Sequence, residues 1–230
     1  MSLILPIRVL AAIVPLFLFD TLIRPPTNPS RVLFGMAMLF SALYNFGYVM
    51  MLSLPAEAAW GAEISVSFTM LFMTLFSFFL GLASISLTGK TRTLLNTILC
   101  AMPTFTIPLV VFPTSKMFNF FSVVYHLGYG WKAVYDLRFY IPWLWIVIAV
   151  PVLYTLKNLK ELHYRVDGEK KWNIILLFSG ICVSFFLTQF IDSFLSVMFN
   201  ILPQGGIPFI VGTVIMAVPF ITPGASEEEE

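Results

Sequence analysis

The chain has 230 residues, of which 59% are hydrophobic and only 11% are charged, with a formal net charge of +1. An ordinary soluble domain carries about 25% charged residues, so most side chains of this chain cannot face water. The composition excludes a soluble domain and predicts an all-α integral membrane protein, because a backbone surrounded by lipid must satisfy its own hydrogen bonds. Segments alternating polar and apolar residues, as in a transmembrane β-barrel, do not stand out.

Apolar stretches long enough to cross a bilayer recur along the chain, since a spanning helix needs about 20 residues. The first ends in LIRPPTNPSR, which is typical of a loop, and it lacks the basic start and cleavage site of a signal peptide. The seventh contains several prolines and is expected to be kinked. The predicted seven-helix bundle occupies 1–222, with spans at 3–23, 31–53, 60–88, 93–113, 139–157, 172–199 and 203–222, and 223–230 is predicted to be an acidic disordered tail.

Two loops carry further information. The segment 114–138 is rich in aromatic residues with glycines between them, which favours either a segment at the membrane interface or a lid over the bundle, although an ordinary aromatic belt has the same composition. The loop 157–171 is charged and predicts a helical extension of the fifth span that ends near Gly168. Its basic residues suit anionic lipid headgroups, but membrane topology alone also explains them.

The loop charges predict the orientation, because basic loops tend to stay in the cytoplasm. One side of the predicted bundle carries nine Lys and Arg residues and the other carries four, among them Arg8 and Arg138. The N-terminus is therefore expected outside the cell and the C-terminus in the cytoplasm, as an odd number of spans requires.

Polar residues within the spans gather at the predicted extracellular side. A carboxylate in a span is costly unless it faces the bundle interior, is protonated or is paired, and Arg8 is one expected counter-ion. Each polar residue taken alone also suits a structural role between helices. Taken together they predict a water-reached pocket for a small ligand, lined by Tyr44, Asn45, Tyr48, Glu63, Gln189, Asp192 and Gln204.

Other chemistries lack their residues. No predicted span has an internal lysine that could hold retinal, and His126 and His163 fall in loops, whereas haem in a bundle needs histidines on facing helices. Cys100 and Cys182 fall within spans, so no disulfide framework is expected. Nucleophile motifs and phosphate-binding loops are missing, and the basic excess follows from topology. The expectation is a protein that is not an enzyme, needs no cofactor or metal and binds no nucleic acid.

The succession of spans resembles the N-terminal seven-helix sensor region of bacterial and archaeal histidine kinases and related signalling proteins. The resemblance covers roughly 31–222 and rests on an aromatic second span, RVLFGMAMLFSALYNFGYVMML, and an acidic, Trp-containing turn before a long third span. A fifth span opened by proline follows the long outer loop. The sixth span has Gly180 early and Asp192 late, with Leu202-Pro203 after it.

The resemblance implies an extracellular ligand-sensing bundle coupled to a cytoplasmic output, as in a two-component system. The sequence ends in ITPGASEEEE without a transmitter domain, so the chain is expected to be either the receptor portion alone or a stand-alone subunit whose membrane or cytoplasmic partner supplies the output. An alternative stays open, in which the chain is a non-catalytic accessory subunit of a larger membrane complex. A small transporter is disfavoured, because the halves show no inverted repeat and the inner half is poor in polar residues.

Overall fold

The structure of the protein is a computed structural model, and it describes residues 4–25, 28–89, 120–127, 130–188, 190–195 and 206–221. The first three helices are α1 (Ile4–Ile23), α2 (Pro29–Ser53) and α3 (Ala59–Thr88). Their bounds lie within two residues of the predicted spans. The predicted fourth span, 93–113, and the predicted tail, 223–230, lie outside the described residues.

A β-hairpin follows, made of β1 (Phe121–His126) and β2 (Gly130–Tyr135). A second long helical stretch consists of α4 (Leu137–Trp143), a π-helical segment (Leu144–Ala149) and α5 (Val150–His163). A third begins with α6 (Gly168–Ile181) and continues through two π-helical segments, Cys182–Leu187 and Phe190–Leu195. The last described helix is α7, Gly206–Ile221.

Within the described residues, five helical stretches are long and apolar enough to cross a membrane, and Gly206–Phe220 is a shorter apolar helix. The protein is therefore an α-helical membrane protein. The predicted charged loop differs from expectation at one point: α5 ends at His163, and Gly168, with φ +63°, opens α6 rather than ending a helix.

Local chemistry explains several helix boundaries. Asn28 caps α2, because its side chain accepts a hydrogen bond from the Arg31 backbone N–H at 2.8 Å, and Pro29 occupies the first helical position. Gly89 ends α3 in the left-handed conformation at φ +63°. Pro151 lacks the N–H that would continue an α-helix, and the segment before it is π-helical, with the Val150 N–H donating to the Trp145 carbonyl.

Small residues let the helices approach closely. A Cβ at Gly47 of α2 would lie 2.4 Å from Thr69 Oγ1 of α3, so these two helices pack closely at this position. A Cβ at Gly212 of α7 would lie 2.3 Å from the Ser184 backbone nitrogen and 2.6 Å from the Gly180 carbonyl oxygen. Glycine is therefore required where α7 crosses the stretch that begins with α6.

The hairpin packs against the turn between α2 and α3. The Trp131 side chain is buried, and its indole N–H donates to the Pro55 carbonyl at 3.0 Å. Gly130 has φ +92°, and a Cβ there would lie 2.7 Å from the Leu52 carbonyl oxygen. Within the predicted aromatic loop 114–138, the described residues 121–126 and 130–135 thus form a hairpin that packs against the bundle. We call the side of the molecule that carries this hairpin the hairpin end.

Polar contacts at the opposite end tie other helices together. Asn158 of α5 donates to Ser84 Oγ of α3 at 3.1 Å, and Ser30 of α2 donates to Ser86 Oγ at 2.9 Å. The bundle therefore has a polar group at each end, with an apolar core between them that includes Met38, Leu80 and Ile148.

Candidate functional site

Arg8 is the most unusual side chain of the hairpin end, because it is charged, lies in an apolar helix and is 1% exposed. Its Nη2 lies 2.5 Å from Asp192 Oδ2 and its Nη1 donates to Asn45 Oδ1 at 3.3 Å. Its Cζ lies 4.5 Å from the centre of the Tyr48 ring. An arginine costs about 2.5 to 3.5 kcal/mol at the centre of a spanning helix on insertion scales, which is an upper bound for Arg8 in the second turn of α1. The carboxylate, the amide and the aromatic face offset that cost.

Residues of α2 hold Arg8 from one side. Asn45 is fully buried, and its Nδ2 donates to the Ser41 carbonyl at 3.0 Å, which directs its Oδ1 toward the guanidinium. Tyr48 lies one turn further along α2 and presents its ring. On another side, a Cβ at Gly206 of α7 would be in van der Waals contact with Arg8, 3.6 Å from its Cδ. Arg8 is therefore surrounded by residues of α2 and α7.

Asp192 reaches Arg8 from a π-helical segment. The side chain of Asp192 is 8% exposed, so the pair as a whole is buried. A π turn adds about one residue to a helical turn, which rotates the residues after it by about 100° relative to a continuous α-helix. The helical register between Cys182 and Asp192 thus determines whether this carboxylate points at Arg8. Such segments occur frequently at functional sites.

Three tyrosines lie above the ion pair and connect it to the hairpin. The rings of Tyr44 and Tyr48 meet edge to face at 5.4 Å, and the side chains of Tyr48 and Tyr135 are close enough to interact electrostatically. Tyr135 also stacks on Tyr140 with 4.2 Å between ring centres. Removal of the Tyr135 hydroxyl from solvent raises its pKa well above the ordinary value near 10. The hairpin is therefore in direct contact with the site.

The aromatic group continues into α4. Trp143 is buried, and its ring lies 5.8 Å from that of Tyr140 and 6.0 Å from that of Phe120. Its indole N–H has no hydrogen-bond acceptor among the described residues. A buried donor without an acceptor costs about 1 to 3 kcal/mol, so a water or ligand oxygen there would be stabilising.

The structure brings together four of the seven residues predicted to line a pocket, namely Tyr44, Asn45, Tyr48 and Asp192. Arg8, one of the counter-ions expected for Asp192, is at their centre. Glu63, near the start of α3, is half-buried, and no hydrogen bond or ion pair joins its carboxylate to these residues. Gln189 and Gln204 lie outside the described residues.

Tyr135 and Tyr140 complete the group and were not predicted from the sequence. A signal was available for Tyr135, because FSVVYH and GWKAVY have the β-branched and aromatic composition of paired strands and are separated by a short segment containing glycine. Pairing places Tyr135 opposite Phe121, at the end of the hairpin away from its turn. The Trp143 donor has no comparable signal.

Two other ion pairs show how different the Arg8 pair is. Asp136 and Arg138 pair at 2.6 Å on the surface, where hydrogen bonds from the Arg138 side chain lower the pKa of Asp136. Asp20 and Arg24 pair one turn apart on α1, again on the surface. Exposed pairs of this kind contribute about 0 to 1 kcal/mol. Of these three ion pairs among the described residues, only the Arg8 pair joins two distant helices in the interior.

In the part of the chain that the structure describes, no three His, Cys, Asp or Glu side chains form a group that could hold a metal ion. No protein-family model, curated protein or solved structure matches the chain. The resemblance to histidine-kinase sensor regions therefore stays a prediction, and the functional proposal rests on the geometry of the site.

Proposed function

We propose that the chain is a membrane receptor that binds a small ligand at the hairpin end and passes the signal to a separate cytoplasmic partner. The observation that carries the proposal is the buried pair of Arg8 and Asp192 beneath the hairpin. A receptor needs two arrangements for which the ligand has different affinities. The pair offers two arrangements, one with Arg8 and Asp192 in contact and one with them apart. This single contact between charged groups links α1 to the stretch that begins with α6.

The cost of the pair favours function over a purely structural role. Replacing a buried ion pair with apolar residues of similar volume is often neutral or stabilising by about 1 to 4 kcal/mol. Apolar packing could therefore join these helices at a lower cost in free energy. Ionisable residues inside membrane spans commonly mark ligand or ion sites. The register of the π-helical segment carrying Asp192 supplies the second arrangement, since a return to α-helix would rotate the carboxylate away from Arg8.

The orientation expected from the loop charges places this site on the extracellular side. The hairpin then faces the medium, and its Tyr135 contacts Tyr48 of the site. Movement of the hairpin would be transmitted directly to the tyrosines around Arg8. The resemblance to histidine-kinase sensor regions agrees with this direction of signalling.

Native mass spectrometry of the protein purified in mild detergent tests the proposal. The wild type is expected to carry a small molecule that the double variant Arg8→Met/Asp192→Leu does not retain, although the double variant folds. Asn158→Leu is the matched control, because it also makes a buried polar position apolar, but at the opposite end. Equal retention by the wild type and the folded double variant would contradict a ligand site at Arg8.

A second candidate function is an accessory subunit of a membrane complex. It is favoured by the wide apolar face of α1, on which Leu10, Ile13 and Phe17 are each more than half exposed. The same purification distinguishes the two functions. A fixed stoichiometry with another membrane protein, and no small molecule, would favour the accessory role.

A further inference from the structure

We infer that the ligand carries a carboxylate group, and that this group takes the place of Asp192 on Arg8. The inference rests on the proposed function and names the chemical class of its ligand. Its basis is the juxtaposition of a buried guanidinium, held on one side by uncharged groups of α2, with a carboxylate supplied by a separate helical stretch.

The requirement for an anion follows from the burial of Arg8. A guanidinium stays charged in any protein environment, and this one is 1% exposed within an apolar helix. Removing one partner from a buried ion pair is strongly unfavourable. A ligand that separates Asp192 from Arg8 must therefore bring its own negative charge to the guanidinium.

The observed contact also indicates which anion fits. A carboxylate already occupies the position, with its oxygen 2.5 Å from Nη2 and Asn45 on the neighbouring Nη1. A planar carboxylate matches the planar donors of arginine in size and shape. The rings of Tyr48 and Tyr44 lie beside it, which suits a small organic acid with an apolar or hydroxylated body.

Of the two partners, Asp192 is the one that can exchange. Arg8 is held by the Asn45 amide and the Tyr48 ring, both on α2. Asp192 is the more exposed partner, with 8% of its side chain accessible against 1% for Arg8, and it lies on a π-helical segment. An incoming carboxylate thus approaches from the side of Asp192, and its binding releases this stretch from α1.

The exchange makes a quantitative prediction for affinity. As long as Asp192 occupies the guanidinium, an added carboxylate binds only the small fraction of molecules in which Arg8 is open, and its apparent affinity falls by that fraction. Removing the charge of Asp192 removes the competitor. If Asp192 is in place at least nine-tenths of the time, the apparent affinity of Asp192→Asn is higher by about tenfold or more.

The experiment is a titration of the purified full chain with sodium acetate, followed by the melting temperature, with sodium chloride at equal ionic strength as the reference. A saturable increase is expected in Asp192→Asn at about tenfold lower acetate, or less, than in the wild type. Asp20→Asn is the matched control, since it removes the carboxylate of an exposed pair on α1, and it should behave as the wild type.

The role of Arg8 is tested in the same titration with Arg8→Met/Asp192→Asn, which leaves no buried charge and so avoids the folding problem of a lone arginine variant. This protein should show no saturable response to acetate. Equal acetate affinity of the wild type and Asp192→Asn, or acetate binding that survives the loss of Arg8, would overturn the inference.

A parallel titration with laurate distinguishes a soluble acid from a fatty acid of the bilayer. If laurate saturates Asp192→Asn and acetate competes for the same site, the bilayer supplies the ligand; if acetate alone saturates, the medium supplies it. A neutral or cationic molecule whose retention depends on Arg8 and Asp192 would contradict the carboxylate inference but would still support the receptor. Acetate binding without any small molecule retained by the wild type would contradict the receptor and support the carboxylate inference.

Discussion

At the scale of single residues, the main feature of the protein is the buried charge of Arg8, which requires a partner of opposite charge. Arg8 is almost completely buried in an apolar helix, and its charged partner comes from a position 184 residues away in the sequence. The pair therefore imposes a long-range restraint on the bundle. Changing one member alone destabilises the protein more than changing both, because a single change leaves a buried group without its partner.

The stability of single and double variants provides the first prediction. Asp192→Asn should lower the free energy of unfolding by about 3 to 5 kcal/mol, since it leaves the Arg8 charge buried without an anion. Arg8→Met/Asp192→Leu should recover most of that loss, because no buried charge remains. Denaturant unfolding of the proteins in mixed micelles measures both values.

Asp20→Asn is the control for this series and should cost no more than about 1 kcal/mol, as expected for an exposed pair. If Asp192→Asn were as mild as Asp20→Asn, then Arg8 would not depend on this carboxylate, and the pair could not act as the link between the two helices.

The sequence predicts those parts of the site that depend only on how deep each residue lies in the membrane. The chain order of the spans placed Asp192, Tyr48 and Asn45 at one side of the bundle, and a carboxylate in a span requires a partner, so Arg8 was among the expected counter-ions. Depth does not give the direction around a helix axis. For that reason Glu63 was assigned to the pocket, although its carboxylate makes no contact with Arg8 or Asp192.

At the scale of elements, the five long apolar helical stretches of the described residues followed from the sequence, because an apolar length of about 20 residues has few other uses. The first three helices begin and end within two residues of expectation. The hairpin was missed because its aromatic residues also suit a membrane-interface belt. The π-helical segments between Cys182 and Leu195 contain no proline, so their sequence carries no signal for the change of register.

The crossing of α7 over the preceding helical stretch gives a prediction at this scale. Gly212→Ala should lower the free energy of unfolding by about 1 to 3 kcal/mol, which is typical of overpacking. Its methyl group would lie 2.3 Å from the Ser184 backbone nitrogen, and backbone atoms cannot move aside as a side chain can. Thermal unfolding in detergent measures the loss.

Gly35→Ala in α2 is the matched control. The nearest neighbours of its methyl group would be side-chain atoms, with Ile23 Cγ2 the closest at 3.3 Å, and alanine favours a helix over glycine by about 0.5 to 1 kcal/mol. The control should be neutral or slightly stabilising. Equal effects of the two substitutions would mean that the two helices do not cross as closely as their glycines indicate.

At the scale of the whole molecule, the two ends of the bundle differ in chemistry. The hairpin end holds a buried ion pair and its tyrosines, whereas at the opposite end the ion pair of Asp20 and Arg24 lies on the surface and the buried contact of Asn158 with Ser84 joins uncharged groups. The loop charges predict that the hairpin end is extracellular. The proposal of a receptor for external ligands depends on this orientation more than on any single contact.

Labelling of single cysteines in intact cells measures the orientation directly. Leu127→Cys lies at the tip of the hairpin, where the residue is 96% exposed, and Tyr164→Cys lies at the opposite end, where the residue is 74% exposed. Both are made in a chain whose native cysteines are replaced by serine. A membrane-impermeant thiol reagent should label Leu127→Cys in intact cells and should label Tyr164→Cys only after permeabilisation. The reverse pattern would place the Arg8 site on the cytoplasmic side and contradict a receptor for extracellular ligands.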